Sequence, residues 1–121
     1  MFTAAITRTF CAAHALRLPG GGLEPLHGHN WQTTVTVASE QLDELGCVMD
    51  FHDLERQLDA IIGPWHNANL NEIAPFDAVV NPSAENVARQ IADALTLPDG
   101  VSLRRVEVTE AEGCAAAYEP A

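Results

Sequence analysis

Lysine is absent from this chain. Its six basic residues are all arginine and stand against 17 aspartates and glutamates, for a formal net charge of −11. That balance excludes a surface that tracks nucleic-acid phosphates or an anionic membrane, since both need clustered cations. It also makes any anionic ligand depend on a few placed arginines or backbone amides. Cysteine is scarce and scattered. Cys11, Cys47 and Cys114 are odd in number and lack CxxC spacing, which argues against a disulfide framework and against a thiolate metal site. No apolar run approaches the roughly 18–20 residues that cross a bilayer, and Met1-Phe2-Thr3 does not open a basic-then-apolar signal pattern. The expectation is a cytoplasmic protein with neither nucleic-acid nor membrane partners. Internal repeats and linkers are lacking too, so residues 1–121 read as one domain with a single modest core.

What is present is patterned. Hydrophobic residues make up 47% of the chain, enough to exclude a disordered or fibrous protein. Ala4 to Ala13 is rich in Thr, Ile and Phe with partial alternation and reads as a strand. Arg17 to Pro25 contains Leu-Pro-Gly-Gly-Gly-Leu-Glu-Pro and reads as a loop. A second, β-branched strand follows from His27 to Ser39, and Glu40 to Gly46 turns. Asp50 caps a helix over Phe51 to Ile62, in which Leu54, Leu58 and Ile61/Ile62 recur at helical spacing; Gly63-Pro64 ends it. Trp65 to Val80 is irregular and rich in Asn. Ser83 and Asn86 then open a second helix with Val87, Ile91 and Leu95 on one face. Asp99-Gly100 turns into an alternating strand from Leu103 to Thr109, and a short strand covers Ala115 to Tyr118. The order ββααββ predicts an α+β fold: an antiparallel four-stranded sheet with both helices on one face. Its two open edges invite pairing with further copies.

Against this frame the histidines stand out. His14 ends the first strand, and His27 and His29 open the second. Residues two apart on a strand share a side, so His27 and His29 can reach one ion, with His14 supplied by the neighbouring strand. Neutral imidazole is the commonest ligand for zinc-like ions, and three of them leave a fourth position open for water or substrate. The competing reading is a set of satisfied polar residues at a loop mouth.

The residues around these histidines carry a resemblance. Phe10 to His14 reads F-x-A-A-H and His27 to Asn30 reads H-G-H-N; Gly46 to Phe51 reads G-x-V-x-D-F. Leu70-Asn71, the block Pro82 to Asn86, and Val106-Glu107-Val108-Thr109-Glu110 follow in order. In this arrangement the chain resembles the 6-pyruvoyltetrahydropterin synthase / 6-carboxytetrahydropterin synthase family. The resemblance implies the tunnelling fold, with three subunits joining sheets into a barrel and two trimers stacking into a homohexamer. It further implies Zn2+ on His14, His27 and His29, an active site at a subunit boundary, and a small-molecule pterin substrate whose ring is anchored by Glu110. Read without the resemblance, Glu110 is a solvated strand-end glutamate.

The departures from the family pattern are as informative. Where pterin synthases place a cysteine base before H-G-H, this chain has Leu23-Glu24-Pro25-Leu26. The resulting E-x-x-H resembles the family branch in which glutamate replaces cysteine and the product is 6-hydroxymethyl-7,8-dihydropterin. Glu24 is therefore the candidate base, against the plainer reading of a surface loop residue. The family's D-H-x-x-L-N relay stands here as His66-Asn67-Ala68-Asn69-Leu70-Asn71, and asparagine carries no proton at neutral pH. His66 is the candidate to replace the relay; the alternative is that no relay exists. Arg8, Arg17 and Arg89 are the candidates to meet the phosphates of 7,8-dihydroneopterin triphosphate, and if none does so an unphosphorylated pterin fits better. The expected activity is a zinc-dependent lyase, with a 6-carboxy- or 6-pyruvoyl-tetrahydropterin synthase and a non-catalytic pterin-binding homologue as alternatives.

Overall fold

A computed structural model describes all residues from Met1 to Ala121. Strand β1 runs Phe2–His14 and β2 runs His27–Ser39. Their antiparallel register sets Phe10 opposite Trp31, Ala12 opposite His29 and His14 opposite His27. Helix α1 follows over Phe51–Ile62, the two-residue strand β3 over Ala68–Asn69, and helix α2 over Ala84–Ala94. Strands β4 (Ser102–Ala111) and β5 (Cys114–Tyr118) complete a sheet of order β3-β1-β2-β4-β5.

The α+β reading holds, with one correction: the sheet has five strands rather than four, and it is mixed. Ala68 and Asn69 lie parallel to Ala12 and Ala13. A pair of residues is too short to display alternation, so this strand leaves no trace in an Asn-rich stretch. It covers only the last part of β1, leaving most of that edge open, while β5 forms the opposite edge.

Alternation assigns the faces. Ile6, Phe10, Ala12 and His14 of β1 turn inward with Trp31, Thr33, Val35 and Val37 of β2 and Val106 and Val108 of β4. Leu54, Leu58 and Ile62 of α1 and Val87, Ala88 and Ile91 of α2 cover this face and close one apolar core. Both helix starts match their sequence signals. Asp50 Oδ1 accepts from the His52 amide at 2.8 Å, and Ser83 Oγ from the Asn86 amide at 3.1 Å. The Asn86 side chain does not cap; its Nδ2 donates to the Asn81 carbonyl at 2.9 Å. No helix is long and apolar enough to cross a membrane.

Candidate metal centre and active site

The inward face carries the site at one end of the sheet. The parity that buries Phe10 and Ala12 also turns His14 inward, and the parity of Trp31 turns His27 and His29 the same way. On β4, Glu110 continues the inward series of Val106 and Val108, and Gln32 opposite Thr109 sets it beside β2 at this end. The ligating atoms of His14, His27, His29 and Glu110 all lie within 4.8 Å of one another. Trp31 forms the floor: its ring is fully buried, stacks on Phe10 at 5.8 Å, and meets the His14 ring edge-on at 4.8 Å.

Hydrogen bonding fixes which ring nitrogens are free. His14 Nδ1 lies 2.6 Å from the Pro82 carbonyl and His27 Nδ1 lies 2.7 Å from the Pro25 carbonyl. A carbonyl only accepts, so each Nδ1 carries the proton and donates it. In the neutral rings both Nε2 atoms then present lone pairs, and these face each other at 3.1 Å. Two lone pairs so close repel unless a proton or a cation sits with them. His29 Nε2 is buried without any hydrogen-bond partner, a group that costs about 1–3 kcal/mol if left so. Nδ1–H bonded to a carbonyl with Nε2 facing inward is the usual outer support of a metal-binding histidine. The donor set of three imidazoles and a carboxylate therefore fits a zinc-like ion.

The segment after His14 is held by a set of clips. Asn71 Oδ1 accepts from the Ala15 amide at 2.8 Å while its Nδ2 donates to the Ala15 carbonyl at 2.7 Å. Asn81 grips Arg17 in the same two-way fashion, at 2.7 and 3.1 Å. The loop beyond then folds back on itself, with Arg17 bridged to Leu23 and Gly21 in the left-handed region at φ 93°. This return brings Glu24 beside Leu16, whose amide donates to Glu24 Oε1 at 3.0 Å. The same oxygen stands 4.0 Å from His27 Nε2. Glu24 thus borders the converging histidines despite its Gly-rich approach.

His66 is placed elsewhere. It is exposed where the chain enters β3, its Nδ1 accepting from the Cys11 amide of β1 at 3.1 Å, and within one chain it does not join the converging group. The three arginines considered for phosphate already have partners. Arg8 bonds Asp59 at 2.9 Å and Glu55 at 3.0 Å, and the Asp59 hydrogen bond foremost holds its guanidinium pKa above the ordinary value. Arg17 donates to the carbonyls of Val80 and Phe76. Arg89 faces Asp93 at 3.7 Å and lies over the Tyr118 ring at 5.4 Å. Sequence reasoning missed Asn81 and Arg17 as clips, as well as the clip role of Asn71. It also missed the Pro82 and Pro25 carbonyls, which no side-chain pattern announces.

Comparison with known proteins places the chain in a family. The family model for 6-pyruvoyl tetrahydropterin synthase matches residues 3–121. The chain is 35% identical over 104 residues to the dihydroneopterin monophosphate aldolase of Pyrococcus furiosus, covering 84% of this chain and 83% of that protein. It is 34% identical over 115 residues to the 6-carboxy-5,6,7,8-tetrahydropterin synthase of Synechocystis, covering 91% and 87%. In three dimensions it superimposes on the 6-pyruvoyl tetrahydropterin synthase of Caenorhabditis elegans with a TM-score of 0.81 at 22% identity, covering 99% and 96%. A fold, a metal-fitting donor set and a match along nearly the whole sequence thus converge, and the chain belongs to the 6-pyruvoyl tetrahydropterin synthase family of pterin-processing lyases.

Proposed function

We propose that the protein is a zinc-dependent lyase that cleaves the side chain of a 7,8-dihydroneopterin derivative, with 6-hydroxymethyl-7,8-dihydropterin as product. The observation that carries this reading is a carboxylate, Glu24, held at the rim of a three-histidine metal group where the family's synthases have cysteine. When bound, zinc supplies Lewis acidity to the side-chain hydroxyls of the substrate. Glu24 takes the proton from the second side-chain hydroxyl. The bond between the first and second side-chain carbons then breaks, its electron pair enters the conjugated dihydropterin, and the first carbon regains a proton. The leaving fragment is an aldehyde. Glu110 pairs with the amino group and ring nitrogen of the pterin and sets the side chain over the histidines. His66, exposed at a sheet edge, serves as a proton carrier for a neighbouring copy's site.

That last role supposes an assembly. The open edges of β1 and β5 favour sheet-to-sheet joining into trimers and a homohexamer. A reducing cytoplasmic setting suits the three free cysteines. The partners already held by Arg8, Arg17 and Arg89 favour a substrate with one phosphate or none over the triphosphate. A second reading, a pterin-binding homologue without turnover, draws on Asn67 at the relay position and on His66 lying outside the cluster.

One experiment separates the readings. Zinc-loaded protein is incubated with dihydroneopterin and with its mono- and triphosphates, and products are followed by mass. Hydroxymethyl-dihydropterin formation, abolished in Glu24→Gln with zinc retained, supports the lyase. A carboxy or pyruvoyl product would reassign it as a synthase, and tight pterin binding without any product would leave only the binding protein.

A further inference from the structure

We propose that Glu110 is a fourth ligand to the ion held by His14, His27 and His29 while the pterin is absent, and that pterin binding draws it away. The inference rests on the metal reading above and concerns what closes that site. Glu110 Oε1 lies 2.9 Å from His14 Nε2 and 3.0 Å from His29 Nε2, while His14 Nε2 lies 3.1 Å from His27 Nε2. Ligand atoms around a tetrahedral ion with bonds of about 2.0–2.1 Å stand about 3.3 Å apart. These three of the six ligand–ligand separations are within a few tenths of an ångström of that value, and all four atoms lie within 4.8 Å of one another.

Hydrogen bonding does not account for the carboxylate's position. The His14 proton is on Nδ1, donated to the Pro82 carbonyl, so its Nε2 has nothing to offer Glu110 unless the ring is charged. His29 Nε2 is buried and has no hydrogen-bond partner even with Oε1 at 3.0 Å. The oxygen lies off the direction an N–H would take. A carboxylate oxygen and imidazole lone pairs that crowd together off-axis are arranged about a common point, as ligands are.

Glu110 also borders a cleft of about 190 Å³ lined by Ala84, Glu85, Cys114, Ala115 and Ala116. The small alanine side chains leave room for a flat ring. Gripping the two ring donors engages both carboxylate oxygens, and the substrate hydroxyls need the position on the ion that Glu110 fills, so the two roles compete for one side chain. Pterin entry exchanges one role for the other. The fourth position is uncovered as the substrate hydroxyls arrive, and in the resting protein it is closed to stray ligands.

The test uses the full-length protein with zinc or cobalt(II) and neopterin, an oxidised pterin that does not react. Glu110→Gln is expected to keep stoichiometric zinc on three imidazoles but with affinity reduced at least about tenfold, since even outer-shell partners of a metal cost 10–100-fold. The visible cobalt spectrum of the parent should change on neopterin saturation, as one ligand leaves, and Glu110→Gln should already differ from the parent without neopterin. Zinc affinity within twofold of the parent together with the parent's cobalt spectrum would overturn the exchange while leaving the metal site standing. If Glu110→Gln does not fold, the parent's titration decides: a cobalt spectrum unmoved by bound neopterin overturns the proposal. A parent that takes up no metal at all refutes the underlying metal reading instead.

Discussion

Replacing His27 with alanine separates the metal from the fold. The side chain sits at the site's mouth, 40% exposed, with its Nδ1 on a local carbonyl two residues back. Its removal opens no buried cavity, so the metal-free variant should unfold within about 0.5 kcal/mol of the parent, as other exposed substitutions do. With metal the two proteins should part. A ligand that binds only the folded state, present at 100 times its Kd, adds about 2.7 kcal/mol. An unfolding entropy of about 2.1 cal/mol/K per residue over 121 residues comes to about 0.25 kcal/mol/K. Saturating zinc should therefore raise the parent's Tm by about 10 °C. Loss of one imidazole, taken as about a thousandfold in affinity or about 4 kcal/mol, leaves the same zinc at about a tenth of the new Kd. The gain then shrinks to about 0.06 kcal/mol, under about 1 °C. Thermal melts with zinc and with a chelator, beside metal analysis of the purified proteins, read both numbers. His27→Ala with stoichiometric zinc and the full metal-dependent rise would refute the three-histidine site.

Trp31→Ala should cost about 3–5 kcal/mol in a denaturant melt, because the ring is wholly buried and stacked on Phe10. It should also weaken zinc binding, since the indole forms the floor beneath His14 and His29. Arg8 and Arg105 have raised guanidinium pKa values through the Asp59 and Glu107 hydrogen bonds. A raised folded pKa contributes below the unfolded value and is lost only as pH climbs through the folded one. Arg8→Met should then change unfolding stability by the same amount at about pH 6 and about pH 9, and a marked difference between them would contradict the assignment.

The parts of the fold that repeat were legible in the sequence. Helix α1 and strand β2 fall on the bounds set by Asp50, Gly63 and the β-branched run, since caps and alternation are local signals. The histidine cluster was legible for a similar reason: two members are neighbours in the chain, and the third ends the partner strand of a hairpin. Glu110 was half legible. Only the resemblance singled it out; on its own it read as a solvated strand-end residue, because its inward turn and its approach to His14 depend on the extent of β4 and the β2–β4 register, which no local pattern sets. Arg17 was read for its charge, whereas its partners are the carbonyls of a segment some sixty residues away. His66 was weighed by its place in a motif, yet its ring is held at the sheet edge by a backbone amide. In each case the missing information is a long-range contact to the main chain, which carries no residue-specific signature.

Those same main-chain contacts tie the metal to the proposed base. His14 is the proposed ligand, Ala15 is clipped by Asn71, Leu16 holds Glu24, and Arg17 is clipped by Asn81, all within four consecutive residues. Loosening either clip should therefore disturb both functions together. Asn71→Ala removes two hydrogen bonds from Ala15 and exposes its amide and carbonyl to poor pairing, a loss of about 1–3 kcal/mol in stability. It should lower zinc affinity and turnover in parallel, because His14 and Glu24 hang from the segment it anchors. Asn81→Ala should do the same through Arg17. Glu24→Gln should behave differently, losing turnover at unchanged zinc affinity, because the Leu16 amide can still donate to an amide oxygen. Zinc competition titrations and product formation measured on the three variants distinguish the patterns. If Asn71→Ala lost turnover with zinc affinity intact, the ligand and the base would be supported separately, and the rigid segment would not be what joins them.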